Sequence, residues 1–525
     1  MSRCPSVRRI EAATVASIFL AVEQELYPMP SPASNSEAHA SRQRPTGLCG
    51  LDRRAYCADL AVMAALLVSG CEVETPDEKA PIAASSTTAE LASIVSTGGT
   101  SVVSTAGEVL ATAEKTIDSA PGINLTESSA TAFQAADGTW EMFDSSNSAA
   151  GRFDYSCTAN NYTTWCTNAI FLGSGGPSAA GGDTNSVSAQ GYVYAVSLRA
   201  EQSGFWFFRT KDPCPGRAGV CLNSLPWDVS LEVVGANGSI DFPDIIKNPV
   251  NDDVWIVYRR NDTTGKIVLA RFRNGQTWNT NLAVFEDNCA GLTGFGLDRV
   301  RAAFDSSGNI HIVYQDFSHS QIKHEIFSTA TNTYQCKLNV IGPYTLPAVC
   351  GCGFPGIPGP TSCLRSLIAP SITIDQHTNP NILLVAYETP GSNSCANKTE
   401  TRIYRSTNGG TSWTFQTVTG CQTAVQPRIA FPNQVGETPG VAQMLTTYNT
   451  TGLTTLSQVA WRSADFGVTW SGTFISPERT VTNLGGCYSG DYNGIAPDSA
   501  HGSYFYSWSQ LSGSNWVNRG LARPQ

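Results

Sequence analysis

The chain has 525 residues, of which 14% are charged and 41% are hydrophobic, with 47 Gly and 28 Pro. Globular proteins average about 25% charged residues, and coiled coils consist mainly of helix-forming residues, so this composition excludes a coiled coil or helical repeat. The net charge of −10 argues against nucleic acid as a partner, since phosphates are neutralised by a surplus of Lys and Arg. The composition indicates a large β-rich protein.

The first 71 residues have the features of an export signal. Arg53 and Arg54 precede an apolar run at residues 60–68, and small residues follow it. The run is shorter than the roughly 20 residues that a membrane-spanning helix needs. Val68-Ser69-Gly70-Cys71 resembles the bacterial lipobox, in which the cysteine carries the lipid. We therefore predict an exported lipoprotein of the bacterial cell envelope, at the outer membrane or cell surface, anchored through Cys71. The alternative is a chance match inside an ordinary signal.

Residues 72–130 are rich in Ala, Ser, Thr and Gly and contain almost no aromatic residues. Such a segment buries too little apolar surface to offset the entropy of ordering it. The composition therefore predicts a disordered spacer over 72–130 and a folded domain over 131–525.

Twelve cysteines remain when Cys4, Cys49 and Cys57 are removed with the leader and Cys71 is assigned to the lipid. An even number in an exported chain predicts disulfides, whose connectivity stays open. No cofactor is predicted, although calcium bound by loop carbonyls remains an open alternative.

A repeated pair of strands occupies most of the folded domain. Each copy alternates apolar and polar residues, which is typical of strands. Copies lie 57 to 70 residues apart, with aligned starts at Asp244, Arg301, Ser371, Arg428 and Gly494, and a weaker copy begins at Ser186. Four strands in each of six units predict an all-β, six-bladed β-propeller. The last unit is short, so we expect an N-terminal strand within 131–143 to complete the last blade.

Two turns carry a more specific motif. The segment from Ser463 through Asp465, Gly467 and Thr469 to Trp470 fits S-x-D-x-G-x-T-W, and a second copy has Asn in place of Asp. In such a turn the Asp or Asn accepts backbone N–H bonds, Gly supplies positive φ, and Trp packs between strands. The residues of the second copy that match the motif are Ser406, Asn408, Gly410 and Trp413. These turns resemble Asp-boxes, and over residues 186–525 the chain resembles the sialidase superfamily of BNR-repeat propellers.

Hairpin geometry predicts where a site lies. The start of the first strand lies beside the end of the second, so both open on one face around the propeller axis. That face collects Asp244, Arg301, Arg428 and Tyr492 from strand starts, and Arg259, Asp316, Glu388 and Asn449 from strand ends. This concentration of charge, in a chain where charge is scarce, is the main indication of a functional site.

The resemblance implies roles for these residues. Tyr492 would be the nucleophile with Glu388 as its partner, and Asp244 or Asp316 would be the acid/base. Arg259, Arg301 and Arg428 would bind the substrate carboxylate, and Asn449 is a further candidate substrate-binding residue. The chain lacks the F-R-I-P motif of that family, so catalysis stays open.

We therefore expect a monomer that binds a glycan or glycoconjugate on this face, with exo-sialidase-type hydrolysis as a hypothesis. The alternative is a non-catalytic envelope scaffold that binds a protein or polysaccharide.

Overall fold

In the computed structural model the chain divides into two units, Met1–Ser86 and Thr87–Gln525. The leader and the predicted lipidation site Cys71 lie outside the described residues. Among the described residues no helix is long and apolar enough to cross a membrane. The structure describes residues 93–97, 100–104, 114–119, 125–148, 152–159, 162, 164–171, 180–199, 203–214, 227–233, 239–261, 266–272, 279–284, 297–337, 339–344, 368–378, 381–390, 399–417, 423–432, 438–449, 455–477, 479–480, 493–498, 502–512 and 515–524.

The described residues form strands joined by turns, as the alternating sequence pattern predicts. The strands are β1 (Ser93–Thr97), β2 (Thr100–Ser104), β3 (Lys115–Asp118), β4 (Leu125–Gln134), β5 (Trp140–Ser148), β6 (Arg152–Thr158), β7 (Cys166–Phe171), β8 (Ala180–Ala189), β9 (Tyr192–Arg199), β10 (Gly204–Thr210), β11 (Asp228–Val233), β12 (Ser239–Lys247), β13 (Val254–Asn261), β14 (Lys266–Phe272), β15 (Asn279–Val284), β16 (Leu297–Phe304), β17 (Asn309–Asp316), β18 (Gln321–Ser328), β19 (Thr333–Tyr334), β20 (Asn339–Pro343), β21 (Ser371–Asp375), β22 (Ile382–Pro390), β23 (Thr399–Ser406), β24 (Thr414–Thr417), β25 (Thr423–Ala430), β26 (Ala442–Asn449), β27 (Thr455–Ser463), β28 (Trp470–Phe474), β29 (Arg479–Thr480), β30 (Gly494–Asp498), β31 (Ser503–Ser512) and β32 (Asn515–Pro524).

Within the described residues these strands form seven sheets, so the prediction of an all-β propeller is confirmed but that of six blades is wrong. The missed blade is the first, whose strands are rich in Ser, Asp and Asn and lack the aromatic repeat. In chain order, blade 1 is β4–β7, blade 2 is β8–β11, blade 3 is β12–β15, blade 4 is β16–β20, blade 5 is β21–β24, blade 6 is β25–β29 with β1 and β2, and blade 7 is β30–β32 with β3.

Buried apolar cores lie between neighbouring blades and close the ring. Each of the seven clusters in the described part of the chain contains residues of two adjacent blades. Trp255 of blade 3 packs edge-on against Phe304 of blade 4, for example, and Tyr162, which follows the third strand of blade 1, stacks on Phe505 of blade 7. Because the first and last blades share a core, the ring has no open edge there.

An N-terminal strand completes the last blade, although not the expected one. Strand β3 pairs with β32, with Lys115 opposite Gly520. Residues 131–143 instead belong to β4 and β5 of blade 1.

Strands also occur within 72–130, where the composition predicts a spacer. The range contains β1, β2, β3 and the first residues of β4, and β1 pairs with β28 at the edge of blade 6. Strand addition at an existing sheet edge uses backbone hydrogen bonds, so it can occur without a large apolar side-chain area.

A disulfide joins the first two blades. Cys157 on β6 bonds to Cys214, which follows β10, and both residues are buried. Cys166 and Cys336 each take part in a disulfide as well. The prediction that disulfides are present is therefore confirmed.

Candidate functional site

The inner strands of the propeller carry a recurring bulge. The pairing register shifts near the start of β4, β8, β12, β16 and β25. At each shift one residue that is not glycine has φ between +47° and +59°, namely Glu127, Asp183, Phe242, Arg299 and Gln426. A bulge re-aims side chains beside it, and left-handed φ is uncommon for such residues. These bulges place the side chains of the site.

These five bulges lie on one face of the ring, which we call the axial face. It is formed by the starts of the inner strands and by the turns between the second and third strands of each blade. The opposite face carries the turns between the first and second strands and between the third and fourth. A separate cavity of about 410 Å³ lies on the ring axis nearer the opposite face, because the middles and ends of the inner strands line it, among them Ala132, Ile245 and Phe304, together with the turn residue Pro249.

Acidic side chains at three successive bulges make a continuous chain of contacts. The Glu127 carboxylate accepts bonds from Asn147 Nδ2 at 2.9 Å and from the backbone N–H of Asp183 at 3.2 Å. The Asp183 carboxylate in turn accepts the backbone N–H of Phe242 at 3.2 Å, and the Asp241 carboxylate accepts the same N–H at 3.1 Å. Two carboxyl groups therefore converge on one donor.

This convergence changes the acidity of both groups. Burial, together with the charge of Glu127, raises the pKa of Asp183 to about 7. Burial and the neighbouring Asp183 carboxyl raise the pKa of Asp241 to about 8, while Arg259 acts in the opposite direction. Two adjacent carboxyls cannot both ionise easily, so the pair retains a proton near neutral pH.

Arginines continue the chain of contacts into blade 4. Arg259 Nη1 donates to Asp298 Oδ1 at 2.7 Å and lies 3.8 Å from Asp241 Oδ2. Arg299 Nη1 donates to Asp298 Oδ2 at 3.0 Å and to Gln315 Oε1 at 2.5 Å. We call the whole set the axial arc, and it consists of Asn147, Glu127, Asp183, Asp241, Arg259, Asp298, Arg299 and Gln315.

Asp244, predicted as an acid/base, lies on β12 just after the bulge that follows Asp241, and it is buried. It accepts bonds from Asn185 Nδ2 on blade 2 and from the backbone N–H of Ala302 on blade 4, the latter at 2.7 Å. Arg428 Nη2 approaches it at 4.0 Å. Asp244 thus links three blades through its hydrogen bonds.

Glu388, predicted as the partner of Tyr492, is also buried. Its carboxylate accepts the backbone N–H of Ile368 at 3.0 Å and that of Gln426 on the neighbouring blade. Tyr492 lies outside the described residues, and so does the side chain of Asn449.

Asp316, the other predicted acid/base, contacts two basic side chains within its own hairpin. Lys323 Nζ lies 2.5 Å and His319 Nδ1 2.7 Å from Asp316 Oδ2. Burial acts to raise the pKa of Asp316, but the bonds from Lys323 and His319 outweigh it and hold the pKa below its usual range. An acid of low pKa is ionised at neutral pH and is poorly suited to donate a proton.

The predicted arginines occupy different parts of the face. Arg259 belongs to the axial arc, and Arg428 lies beside Asp244. Arg301 is buried, with its guanidinium 5.9 Å from the ring centre of Phe242, and its charge acts to lower the pKa of Asp183.

Most of the arc was missed by sequence reasoning. The residues it did not identify are Glu127, Asn147, Asp183, Asp241, Asp298, Arg299 and Gln315. A signal for some of them was present, because Asp241 and Asp298 each lie three residues before an aligned repeat start. Only the bulge, which is a feature of the folded strand pair, brings these positions to the axis.

The two motif turns lie on the opposite face and share one hydrogen-bond pattern. Asp465 Oδ1 accepts the N–H of Thr469 at 2.8 Å, and Asn408 Oδ1 accepts the N–H of Ser412 at 2.9 Å. Ser463 and Ser406 accept the N–H groups of Gly467 and Gly410, and both glycines have positive φ. Trp470 is buried, while Trp413 packs edge-on against His324 of blade 4. Asp465, Asn408 and the two serines therefore act within their turns.

No group of three or more His, Cys, Asp or Glu residues in the described parts of the chain could hold a metal ion.

Comparison with known proteins gives distant likenesses only. No protein-family model matches the chain, and no curated protein matches it. Among solved structures, a lectin of Aleuria aurantia in complex with Fucα1-6GlcNAc has 14% identity and a TM-score of 0.37, covering 68% of this chain and 97% of its own. A Hadza microbial sialidase has 11% identity and a TM-score of 0.40, with coverages of 73% and 76%. An ulvan lyase has 12% identity and a TM-score of 0.43, with coverages of 75% and 93%. At these values the likenesses carry no argument about function.

Proposed function

We propose that the axial face of this propeller binds a glycan or glycoconjugate. The observation that carries the proposal is the axial arc, in which carboxylates, guanidiniums and amides from four blades are held in contact at the bulges. Sugar hydroxyls both donate and accept hydrogen bonds, and charged partners in a partly buried site make the stronger ones. The axial arc contains both charged donors and charged acceptors, so it offers partners for both kinds of hydrogen bond.

A glycan microarray of neutral and anionic oligosaccharides tests this proposal. We expect wild-type protein to bind, and Arg259→Gln to lose at least about tenfold in affinity, since charge-assisted bonds contribute strongly to binding. Arg209→Gln is the matched control, because Arg209 pairs with Asp228 on the outer strands of blade 2. Absence of wild-type binding across the array would contradict the proposal.

Hydrolysis of a glycosidic bond is a second candidate, favoured by the Asp183–Asp241 pair. A carboxyl that keeps its proton near neutral pH can donate it to a leaving oxygen. By the resemblance to the sialidase superfamily, Tyr492 would attack the anomeric carbon with help from Glu388, while Arg259, Arg301 and Arg428 would bind a substrate carboxylate. Asp241, whose pKa is raised to about 8, is better suited as the acid than Asp316, whose pKa is held below its usual range. Asp244 is less suited because it is buried and its carboxylate holds Asn185 of blade 2 and Ala302 of blade 4.

Release of a fluorophore from aryl glycosides, sialosides included, measures this activity. We expect Asp241→Asn and Tyr492→Phe each to lose at least about 100-fold in turnover, the usual scale for acid–base groups. Asp228→Asn, on an outer strand, should leave turnover unchanged. If the wild-type protein releases no fluorophore, hydrolysis is rejected and glycan or scaffold binding remains.

We further propose that the chain is exported and anchored to the bacterial envelope through a lipid on Cys71. The lipobox-like residues 68–71 support this. Metabolic labelling with a fatty-acid analogue should mark the wild-type protein and be lost in Cys71→Ala. Label that persists in the variant rejects Cys71 as the lipid site.

A further inference from the structure

Three side chains stack at the blade 4 end of the axial arc. The guanidinium of Arg299 lies 5.8 Å from the ring centre of Phe242 and 5.4 Å from that of Phe317. Phe242 is buried, whereas Phe317 is 37% exposed. The stack therefore runs from the buried bulge of blade 3 to the surface. Contacts of this kind between a guanidinium and aromatic rings are favourable.

Hydrogen bonds hold the backbone beside the exposed ring and the arginine on which the ring stacks. Phe317 follows Asp316, whose Oδ1 accepts the N–H of Ser318 at 3.0 Å and whose carbonyl accepts the hydroxyl of Tyr344 at 3.2 Å. Below it, Arg299 is bound to Asp298 and Gln315. A platform whose backbone and stacking partner are already held loses less freedom when a ligand covers it.

The surroundings of the ring suit a sugar. The face of an aromatic ring is electron-rich and attracts the polarised C–H bonds on the flat side of a pyranose. Arg299, Asp298 and Arg259 lie next to one another along the arc, where hydroxyl groups at the rim of such a sugar could hydrogen-bond. An aliphatic side chain of the same size would provide area but no such face.

We propose that Phe317 is the stacking platform of a pyranose-binding subsite on the axial face. This rests on the proposed glycan-binding function and adds to it the position and the chemistry of one subsite. The sugar covers the exposed part of the Phe317 ring, and its hydroxyls face the Arg259–Asp298–Arg299 portion of the arc.

The chain contains a matched control elsewhere on its surface. Phe415 on β24, the outer strand of blade 5, is 48% exposed, and the guanidinium of Arg402 lies 5.6 Å from its ring centre. An arginine packed over an exposed phenylalanine ring thus also occurs away from the axis, where the carboxylates and amides of the arc are absent.

The test compares Phe317→Leu, Phe317→Tyr and Phe415→Leu with wild type on the glycan microarray, and melting temperatures confirm folding. We expect Phe317→Leu to lose about tenfold in affinity for the oligosaccharides that the wild type binds, the upper scale of one aromatic contact. Phe317→Tyr, which keeps the ring, and Phe415→Leu should bind as the wild type does.

Two results overturn the platform while leaving glycan binding intact. They are unchanged binding by Phe317→Leu, and equal losses in Phe317→Leu and Phe415→Leu. A wild-type protein that binds no glycan on the array overturns the proposed function and this inference together.

Discussion

The two faces of the propeller place aspartates in different surroundings. On the opposite face, Asp465 accepts hydrogen bonds from Ser463, Val468 and both donors of Thr469. Burial acts to raise its pKa, but these bonds hold the pKa below its usual range. On the axial face, Asp183 and Asp241 share the single N–H of Phe242, and the pKa values of both are raised.

Burial, which is the main cause of the raised pKa values of Asp183 and Asp241, and the number of donors together separate the two cases. A carboxylate that is saturated with donors from its own turn stabilises that turn and has little capacity for chemistry. Two carboxylates that share one donor retain a proton, and such groups concentrate at functional sites. Chemistry is therefore expected on the axial face, although the more recognisable motif lies on the other.

The largest effect on stability is expected from substituting Gly410, in one of the motif turns of the opposite face. A Cβ at Gly410 would lie 2.2 Å from Cε1 of the buried His324 ring, whereas one at Gly409 would have nothing within 4 Å. Both glycines have positive φ. Gly410→Ala should lower the free energy of unfolding by about 3 kcal/mol through overpacking and strain, and Gly409→Ala by about 1 kcal/mol through strain alone. Urea denaturation measures both, and equal losses would mean that His324 moves aside freely.

Removing the Asp465 carboxylate should have an intermediate effect. Asp465→Ala loses the acceptor of several N–H and O–H groups and should cost about 2 kcal/mol of unfolding free energy. Asp465→Asn should stay within about 0.5 kcal/mol of wild type, because Asn408 fills the same place in the other turn. Neither variant should change glycan binding. A loss of binding in Asp465→Ala would contradict the assignment of binding to the axial face alone.

The smallest effect is expected for Asp241→Asn at low pH. The pKa of Asp241 rises from 3.8 to about 8 on folding, so the folded chain keeps a proton that the unfolded chain releases. The corresponding stability is present below pH 4 and is lost as the pH rises through 8.

At pH 4 the variant should therefore lie within about 0.5 kcal/mol of wild type in unfolding free energy. Between pH 4 and 8 it should become increasingly more stable than wild type. Urea denaturation of both proteins across this range measures the gap, and parallel pH profiles would show that Asp241 does not hold the proton.

Local motifs were predictable to the level of single hydrogen bonds. The 463–470 turn closes within eight residues, so residue type and spacing suffice to place Asp465 against its donors. Disulfides were predictable as a class, but the Cys157–Cys214 pair, 57 residues apart and between two blades, was not. Blade 1 was missed because its strands are polar and do not share the aromatic repeat.

The sequence by itself determined the β-propeller architecture, the motif turns and the face on which charge gathers. These follow from period-two alternation and short-range turn chemistry, which act within a few residues. Only the tertiary structure decided the number of blades, the closing strand and the partners of each carboxylate. Asp183 and Asp241 belong to different blades and become acidic neighbours only when two bulged strands pack side by side. The shift in their pKa arises from burial and proximity, which exist only in the folded ring.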